Sequence, residues 1–148
     1  MYQGRTLVLS VDRDDDIGFK ANIVSPVIGR EACLSAANTL GLADPEDSDV
    51  NAIFQAVKIY DELLAKGEEV EVVVIAGNHM HMIEGDRKIA ASLAEVVGKT
   101  GASNCIVVTD GAEDEFVIPV VQSKIPVSSI RRVVVSQIPN LEGTYYII

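Results

Sequence analysis

Short apolar runs that alternate with amphipathic stretches are the feature that most constrains the fold of this chain. The runs lie at residues 6–11, 72–75, 106–109 and 133–135 and consist mostly of Val, Ile and Leu. Continuous runs of this kind are typical of strands that are buried on both faces of a parallel sheet. The stretches between them place apolar residues three and four positions apart, which predicts helices. The pattern therefore predicts strands that alternate with helices.

The order of these predicted elements defines the fold class. Right-handed crossovers allow the strand order 2-1-3-4, in which the first and third predicted strands are neighbours. We predict a three-layer α/β domain with a doubly wound, mostly parallel sheet of four or five strands, similar to Rossmann and flavodoxin folds. No GxGxxG follows the first strand, which disfavours a dinucleotide site of the usual Rossmann type. The predicted helices run from about 27 or 29 to 40, from the segment 44–49 to Gly67, over 86–97, and to about Ser123, whereas residues 20–26 predict an irregular connection.

Residues 44–49 form an acidic segment at the start of the second predicted helix. Asp44 is an N-cap candidate followed by Pro45 at the first helical position, and Ser48 or Asp49 are alternative caps. Acidic side chains in the first turn interact favourably with the helix dipole. We therefore assign these acids to helix structure rather than to catalysis.

The length of 148 residues and a hydrophobic content of 48% predict one domain with a sizeable core. We assign residues 1–140 to this domain and residues 141–148 to an edge strand or to the start of a linker. The sequence stops on apolar residues at 144–148, so we expect more polypeptide in the natural protein. No signal peptide and no apolar run of about 20 residues are visible. Cys33 and Cys105 are expected to be buried, reduced thiols.

The charge of the chain excludes two classes of partner. With 22 acidic and 12 basic residues, the formal net charge is −10. Nucleic-acid backbones and anionic lipid surfaces both attract basic proteins, so neither is an expected partner. A small ligand or ion, and a second copy of the chain, are the partners that the sequence allows.

Two dense acidic stretches follow the first and third predicted strands. They read DRDDDIG at residues 12–18 and DGAEDE at residues 110–115. Neighbouring parallel strands end at the same edge of a sheet, so both stretches are expected to face one crevice. Two carboxylates about 4 Å apart repel by roughly 4 kcal/mol at an effective dielectric near 20. Convergence therefore requires a divalent cation, a nearby arginine or raised pKa values, and the alternative is that the carboxylates point into water and cap helices.

We predict a ligand or cation site at this edge of the sheet. The cofactor would be Mg²⁺ or another divalent cation, and its predicted ligands are Asp12, Asp14, Asp110 and Asp114. Arg30, at a predicted helix start, is a candidate contact for an anion. The predicted ligand-binding set also includes Arg13, Asp16, Gly18, Gly111, Glu113 and Arg131.

Several known patterns are absent or incomplete. There is no P-loop and no GxSxG. The Asp12-x-Asp14-x-Asp16 spacing is not an EF-hand, because Ile17 and Ile23 occupy the positions that require Gly and Glu. His79 and His81 would share a face of an extended segment, but without further ligands they predict a solvated loop.

The acidic stretches also bear a loose resemblance to haloacid-dehalogenase-like phosphatases. Those enzymes place DxD after the first strand, then a lysine, then a strand that ends in a D-x-x-x-D pair, and here Asp12, Asp14, Lys88, Asp110 and Asp114 follow in that order. The resemblance implies a nucleophilic Asp12, an acid–base Asp14 and a bound Mg²⁺. The Ser/Thr motif has no clear counterpart, and Lys88 falls within a predicted helix.

Five longer stretches, at residues 11–18, 26–32, 41–49, 110–116 and 131–135, resemble an archaeal family known as domain of unknown function 373. The resemblance implies an archaeal source and a soluble amino-terminal domain that precedes several transmembrane helices and faces the cytoplasm. It implies no activity and no catalytic residue. Three hypotheses follow: a sensory or regulatory domain that binds a ligand or divalent cation, a Mg²⁺-dependent phosphohydrolase, and a domain that drives oligomerisation.

Overall fold

The computed structural model describes residues 4–133, in which strands and helices alternate. A six-residue helix and a two-residue strand separate the first long strand from a pair of consecutive helices. In chain order the elements are β1 Arg5–Asp12, α1 Asp16–Ala21, β2 Val27–Ile28, α2 Arg30–Ala43, α3 Ser48–Ala65, β3 Val70–Ala76, α4 Met82–Thr100, β4 Ala102–Thr109, α5 Asp114–Gln122 and β5 Val127–Arg132.

The sheet has five strands in the order β2-β3-β1-β4-β5. β1 is central and pairs in parallel with β3 on one side and β4 on the other. β5 is parallel to β4, and the short β2 is antiparallel to β3. The four predicted strands are β1, β3, β4 and β5, and their predicted order is confirmed. The carboxyl ends of β1 and β4 are therefore neighbours.

Side chains of the strands alternate between two apolar cores, one on each face of the sheet. Val8 in β1 faces the core formed with α2 and α3, whereas Leu7 and Leu9 face the core formed with α4 and α5. The same alternation divides the valine run of β3 between the two cores. The run is continuous because helices cover both faces, as the sequence predicted.

Both cysteines lie in these cores. Cys33 and Cys105 are free and fully buried. Burial raises the pKa of each thiol to about 12, so both remain protonated at neutral pH. They serve as small apolar core residues, in agreement with the expectation from their spacing.

The connection after β1 differs from the prediction. Residues 16–21 form α1, a helix that the sequence did not predict and that overlaps the start of the segment 20–26 expected to be irregular. Val27 starts an edge strand where the sequence allowed a helix start. The helix forms because Asp15 adopts a left-handed conformation with φ of 58° and its carboxylate accepts a hydrogen bond from the Gly18 N–H. β2 forms because Val27 pairs with Val74 and buries its side chain.

Two further boundaries differ. α4 begins at Met82, four residues before the predicted start, and ends with Gly101 in the left-handed conformation. The fourth strand was predicted somewhere within residues 127–137 and was expected to contain the valine run at 133–135. β5 covers Val127–Arg132, so Val133 lies just beyond its end. The remaining residues of that run and the predicted edge strand or linker at 141–148 lie outside the described residues. No helix within residues 4–133 is long and apolar enough to span a bilayer.

Candidate metal centre

Four aspartates converge where β1 ends. One carboxylate oxygen from each of Asp12, Asp14, Asp16 and Asp49 lies within 4.8 Å of the others. The first three belong to the end of β1 and the start of α1, and the fourth lies in the first turn of α3. Asp12 is 2% exposed, and the other three are partly exposed. We refer to these four residues as the acidic cluster.

The backbone after β1 determines the position of Asp12. Its Oδ1 accepts a hydrogen bond of 3.0 Å from the Asp16 N–H, and its Oδ2 accepts one of 2.8 Å from the Ile17 N–H. These bonds fold the chain back so that Asp16 returns to the side of Asp12. The DxDxD spacing thus becomes a compact group of carboxylates instead of an extended row.

The first turn of α3 supplies the fourth carboxylate. Asp47 is the N-cap, and its Oδ1 accepts a hydrogen bond of 2.9 Å from the Asp49 N–H. Because Asp47 caps the helix, the Asp49 side chain is available to the cluster. The neighbouring Ser48 hydroxyl donates a hydrogen bond of 2.7 Å to Asp110, which connects α3 to the loop after β4.

The cluster holds more negative charge than its surroundings neutralise. Burial raises the pKa of Asp12 to about 7, despite two backbone N–H groups that favour the charged form. Burial is also the largest cause of the raised pKa of Asp16, which is about 6. The pKa of Asp49 is raised too, first by burial and then by the charge of Asp12. In the described part of the chain, Asp12, Asp14 and Asp49 form no ion pair.

A cavity of about 150 Å³ opens beside the cluster. Asp14, Asp16 and Asp49 lie along it, together with Thr109 at the end of β4 and with Asp110 and Glu113 from the loop after it. The two acidic stretches therefore share one crevice, as the order of the strands predicts.

The structure gives the predicted cation ligands of the second loop other partners. Asp110 lines the cavity, but its oxygens accept hydrogen bonds from Ser48 and from the Ala112 N–H. Asp114 accepts from the Thr109 hydroxyl and, at 2.8 Å, from Arg132. Neither belongs to the cluster, in which Asp16 and Asp49 accompany Asp12 and Asp14 instead.

The predicted arginines are engaged elsewhere. Arg13 donates two hydrogen bonds of 3.0 Å to Asp86 and one of 2.6 Å to Glu113, and its guanidinium lies 4.4 Å from the centre of the Phe116 ring. Arg30 donates to Asp61 on α3 at 2.8 and 3.0 Å. Arg131 donates to the Ser129 hydroxyl. None of these contacts supplies a positive charge to the acidic cluster.

The remaining predicted residues have structural contacts. The Gly18 N–H donates to Asp15, and the Gly111 N–H donates to the Thr109 hydroxyl. Lys88 donates to the Gly77 carbonyl oxygen at 3.1 Å and does not line the cavity. The His79 ring stacks on Phe19 with centroids 3.7 Å apart. His81 precedes α4 at the N-cap position. Neither histidine belongs to the acidic cluster.

Asp49 is the member of the cluster that sequence reasoning assigned to a different role. The sequence did contain a signal that one of these acids has another role. Residues 44–49 contain four acids, and only one side chain can occupy the N-cap position. The surplus acids were assigned to the helix dipole. What the sequence did not show is that the start of α3 lies beside the end of β1.

Gly77 is required for the packing that holds this end of β1. Its N–H donates to the Asp12 carbonyl oxygen at 2.8 Å, and a Cβ at Gly77 would lie 2.1 Å from the Arg13 carbonyl oxygen. We expect Gly77→Ala to lower the free energy of unfolding by about 1–3 kcal/mol, because backbone must move. Gly98→Ala on α4, where a Cβ meets nothing within 4 Å, should instead raise it by about 0.5–1 kcal/mol. Urea unfolding of both variants checks this, and equal effects would contradict it.

Comparisons with known proteins identify archaeal relatives. A family model described as "Domain of unknown function (DUF373)" matches residues 5–148. An uncharacterized protein of Archaeoglobus fulgidus is 56% identical over 144 residues, which cover 97% of this chain and 42% of the relative. An uncharacterized protein of Methanocaldococcus jannaschii is 43% identical over 145 residues, which cover 96% and 39%. The chain thus spans about two-fifths of the length of these relatives. No solved structure matches significantly.

Proposed function

We propose that this chain, which belongs to the DUF373 family, binds a divalent cation through Asp12, Asp14, Asp16 and Asp49 and acts as a regulatory domain. The observation that carries the proposal is the approach of four carboxylate oxygens to within 4.8 Å of one another, three of which have no ion pair with any residue in 4–133. A bound divalent cation would neutralise the charge that otherwise has to be removed by protonation.

The donor set favours a hard cation. Carboxylate oxygens are the ligands that Mg²⁺, Mn²⁺ and Ca²⁺ take in proteins. Oxygens at about 2.1 Å from an octahedral Mg²⁺ lie about 3.0–4.2 Å apart, and those around Ca²⁺ lie somewhat further apart. The spread of 4.8 Å in the acidic cluster needs only a small contraction for Mg²⁺. The cavity beside the cluster leaves room for water or a small ligand on the cation.

A regulatory role is supported by the origin of the ligands. Asp12 ends β1, Asp14 and Asp16 follow it, and Asp49 belongs to α3. A cation that binds all four would tie the start of α3 to the end of the central strand. The equilibrium between positions of α3 would then depend on cation concentration, which is the requirement for a switch.

We also propose that the domain belongs to a membrane protein and faces the cytoplasm. The support is the family resemblance given above, together with relatives more than twice as long as the matched segment. Membrane fractionation of the full-length protein, with protease protection of this domain, tests the proposal. Self-association remains a separate prediction that light scattering tests.

The contacts of two key residues weigh against the phosphohydrolase hypothesis. Both oxygens of Asp12 are engaged by backbone N–H groups and the side chain is 2% exposed, which is unfavourable for a nucleophile. Lys88 donates to a backbone carbonyl away from the cavity lining. We therefore propose cation binding without catalysis.

Calorimetric titration of the metal-free protein with Mg²⁺, Mn²⁺ and Ca²⁺ tests the cation site. We expect the unsubstituted chain to bind, and Asp14→Asn and Asp49→Asn each to weaken binding at least tenfold, or about 1.4 kcal/mol, because each removes a charged ligand. Glu62→Gln is the matched control, since it removes an exposed carboxylate from the same helix as Asp49. Absence of binding by the unsubstituted chain, or equal affinity in all four proteins, would overturn the proposal.

A further inference from the structure

Two methionines and a histidine lie on the surface in the segment where α4 begins. Met80 is 74% exposed and Met82 is 38% exposed, so neither thioether serves to fill a core. His81 separates them and is also exposed. It occupies the N-cap position of α4, but its side chain makes no capping hydrogen bond. The thioether sulfurs and the ring nitrogens of this segment are therefore accessible to a ligand.

Hydrogen bonds hold the backbone of this segment in place. The Asn78 Oδ1 accepts hydrogen bonds of 2.8 Å from the Met80 N–H and of 3.0 Å from the His81 N–H. The Asn78 N–H in turn donates to the Arg13 carbonyl oxygen at 3.1 Å. The His81 carbonyl oxygen accepts a hydrogen bond of 2.8 Å from the Gly85 N–H of α4. The segment is thus attached to the backbone after β1 and to α4, which limits the ordering that a ligand would have to impose.

One open depression on the surface brings the three side chains together. Met80, His81 and Met82 line it, and its volume is about 460 Å³. Glu84 and Arg87 also line it, and their opposite charges balance. Glu84 lies in the first turn of α4, where a carboxylate offsets the positive end of the helix dipole. The charged groups at the depression therefore do not repel a cation on balance.

We propose that Met80, His81 and Met82 bind Cu(I) through two thioether sulfurs and one imidazole nitrogen. Thioether sulfur is a soft donor that selects Cu(I), and imidazole also binds copper. Mg²⁺, Mn²⁺ and Ca²⁺ take oxygen ligands instead, so this site is chemically distinct from the acidic cluster and does not depend on it. A methionine side chain is unbranched and has three rotatable bonds, so both sulfurs can turn toward one ion. The thioethers are the further ligands that the histidines lacked in the sequence.

Anaerobic titration against a chromophoric Cu(I) chelator measures the affinity, and X-ray absorption of the Cu(I)-loaded chain identifies the ligand atoms. We expect one Cu(I) per chain with both sulfur and nitrogen neighbours. Met80→Leu, Met82→Leu and His81→Gln should each weaken binding at least about tenfold, because each removes a ligand. His79→Phe is the matched control. His79 stacks on Phe19 and does not line the depression, and a phenylalanine keeps the stacking, so the Cu(I) affinity should not change.

The replaced side chains are exposed, so the variants are expected to fold, which circular dichroism checks. No Cu(I) binding by the unsubstituted chain would overturn the inference, as would equal affinity in the three ligand variants. Nitrogen and oxygen neighbours without sulfur would overturn it as well. Asp14→Asn, which removes a carboxylate of the acidic cluster, should leave the Cu(I) affinity unchanged. The two proposed sites therefore stand or fail separately.

Discussion

In the absence of divalent cations, the free energy of unfolding is expected to fall by at least about 4 kcal/mol between about pH 5 and pH 8. The pKa of Asp12 is about 7 and that of Asp16 about 6 in the folded chain, both raised mainly by burial from an ordinary value of 3.8. Across this window the folded state therefore holds protons that the unfolded state has already released. Stability then decreases as pH rises, by roughly 3 kcal/mol for Asp12 and roughly 1 kcal/mol for Asp16.

Asp44, Asp47 and Asp61 do not change stability within this window, whereas Asp49 adds to the fall. Hydrogen bonds from Lys20 and Arg30 lower the pKa values of Asp44 and Asp61, so both are ionised in the folded and unfolded states above about pH 5. Burial raises the pKa of Asp47, but hydrogen bonds from Lys20 and Asp16 outweigh that effect and lower it overall. The raised pKa of Asp49 acts in the same direction as those of Asp12 and Asp16.

Urea unfolding at pH values from about 5 to 8, in the presence of a chelator, measures this fall in the free energy of unfolding. Asp12→Asn should reduce the fall, because it removes one of the three raised carboxyl groups. Asp61→Asn, which changes a carboxylate outside the cluster, should leave the fall unchanged. A cation at about 100 times its dissociation constant should restore about 2.7 kcal/mol near pH 8, because only the folded state has the site. A stability that is constant or rises from about pH 5 to pH 8 in the metal-free protein would contradict the electrostatic account of the cluster.

The arrangement of the long strands was predictable because it depends on local patterns and on connection rules. The valine run of β3 requires cover on both faces, and right-handed crossovers then place β1 next to β4. The short elements were not predictable in the same way. α1 depends on a left-handed Asp15, and β2 contains only two residues, so neither has a periodic pattern to detect.

The site was predictable in position but only partly in composition. Asp12 ends β1 and Asp14 follows it, and the edge of the sheet at which a strand ends can be read from the sequence. Asp49 depends on how α3 packs across β1, which is a tertiary contact with no sequence signal of its own. Sequence proximity also misled: Arg13 lies between two members of the cluster, but its guanidinium binds Asp86 and Glu113.

Arg13→Met is expected to lower the free energy of unfolding by about 2–4 kcal/mol, whereas Arg30→Met should change it much less. The two arginines have the same bidentate geometry, with donor–acceptor distances of 3.0 and 3.0 Å to Asp86 and of 2.8 and 3.0 Å to Asp61. They differ in exposure. The Arg13 side chain is 12% exposed against 42% for Arg30, and each arginine also pairs with one further carboxylate, Glu113 and Glu31 respectively. Urea unfolding of the two variants measures this difference in the free energy of unfolding.

The double variant with Asp86→Asn separates the ion pair from the packing of Arg13. If unpaired charge on Asp86 accounts for the loss, the double variant should be more stable than Arg13→Met alone, because it removes that charge. Cation affinity provides a second readout, since the Arg13 carbonyl oxygen accepts the Asn78 N–H and the residue lies between Asp12 and Asp14. Equal losses in Arg13→Met and Arg30→Met would mean that burial does not set the strength of these pairs. The backbone at Asp12 and Arg13 would then be held in position by the hydrogen bonds that their carbonyl oxygens accept from the Gly77 and Asn78 N–H groups.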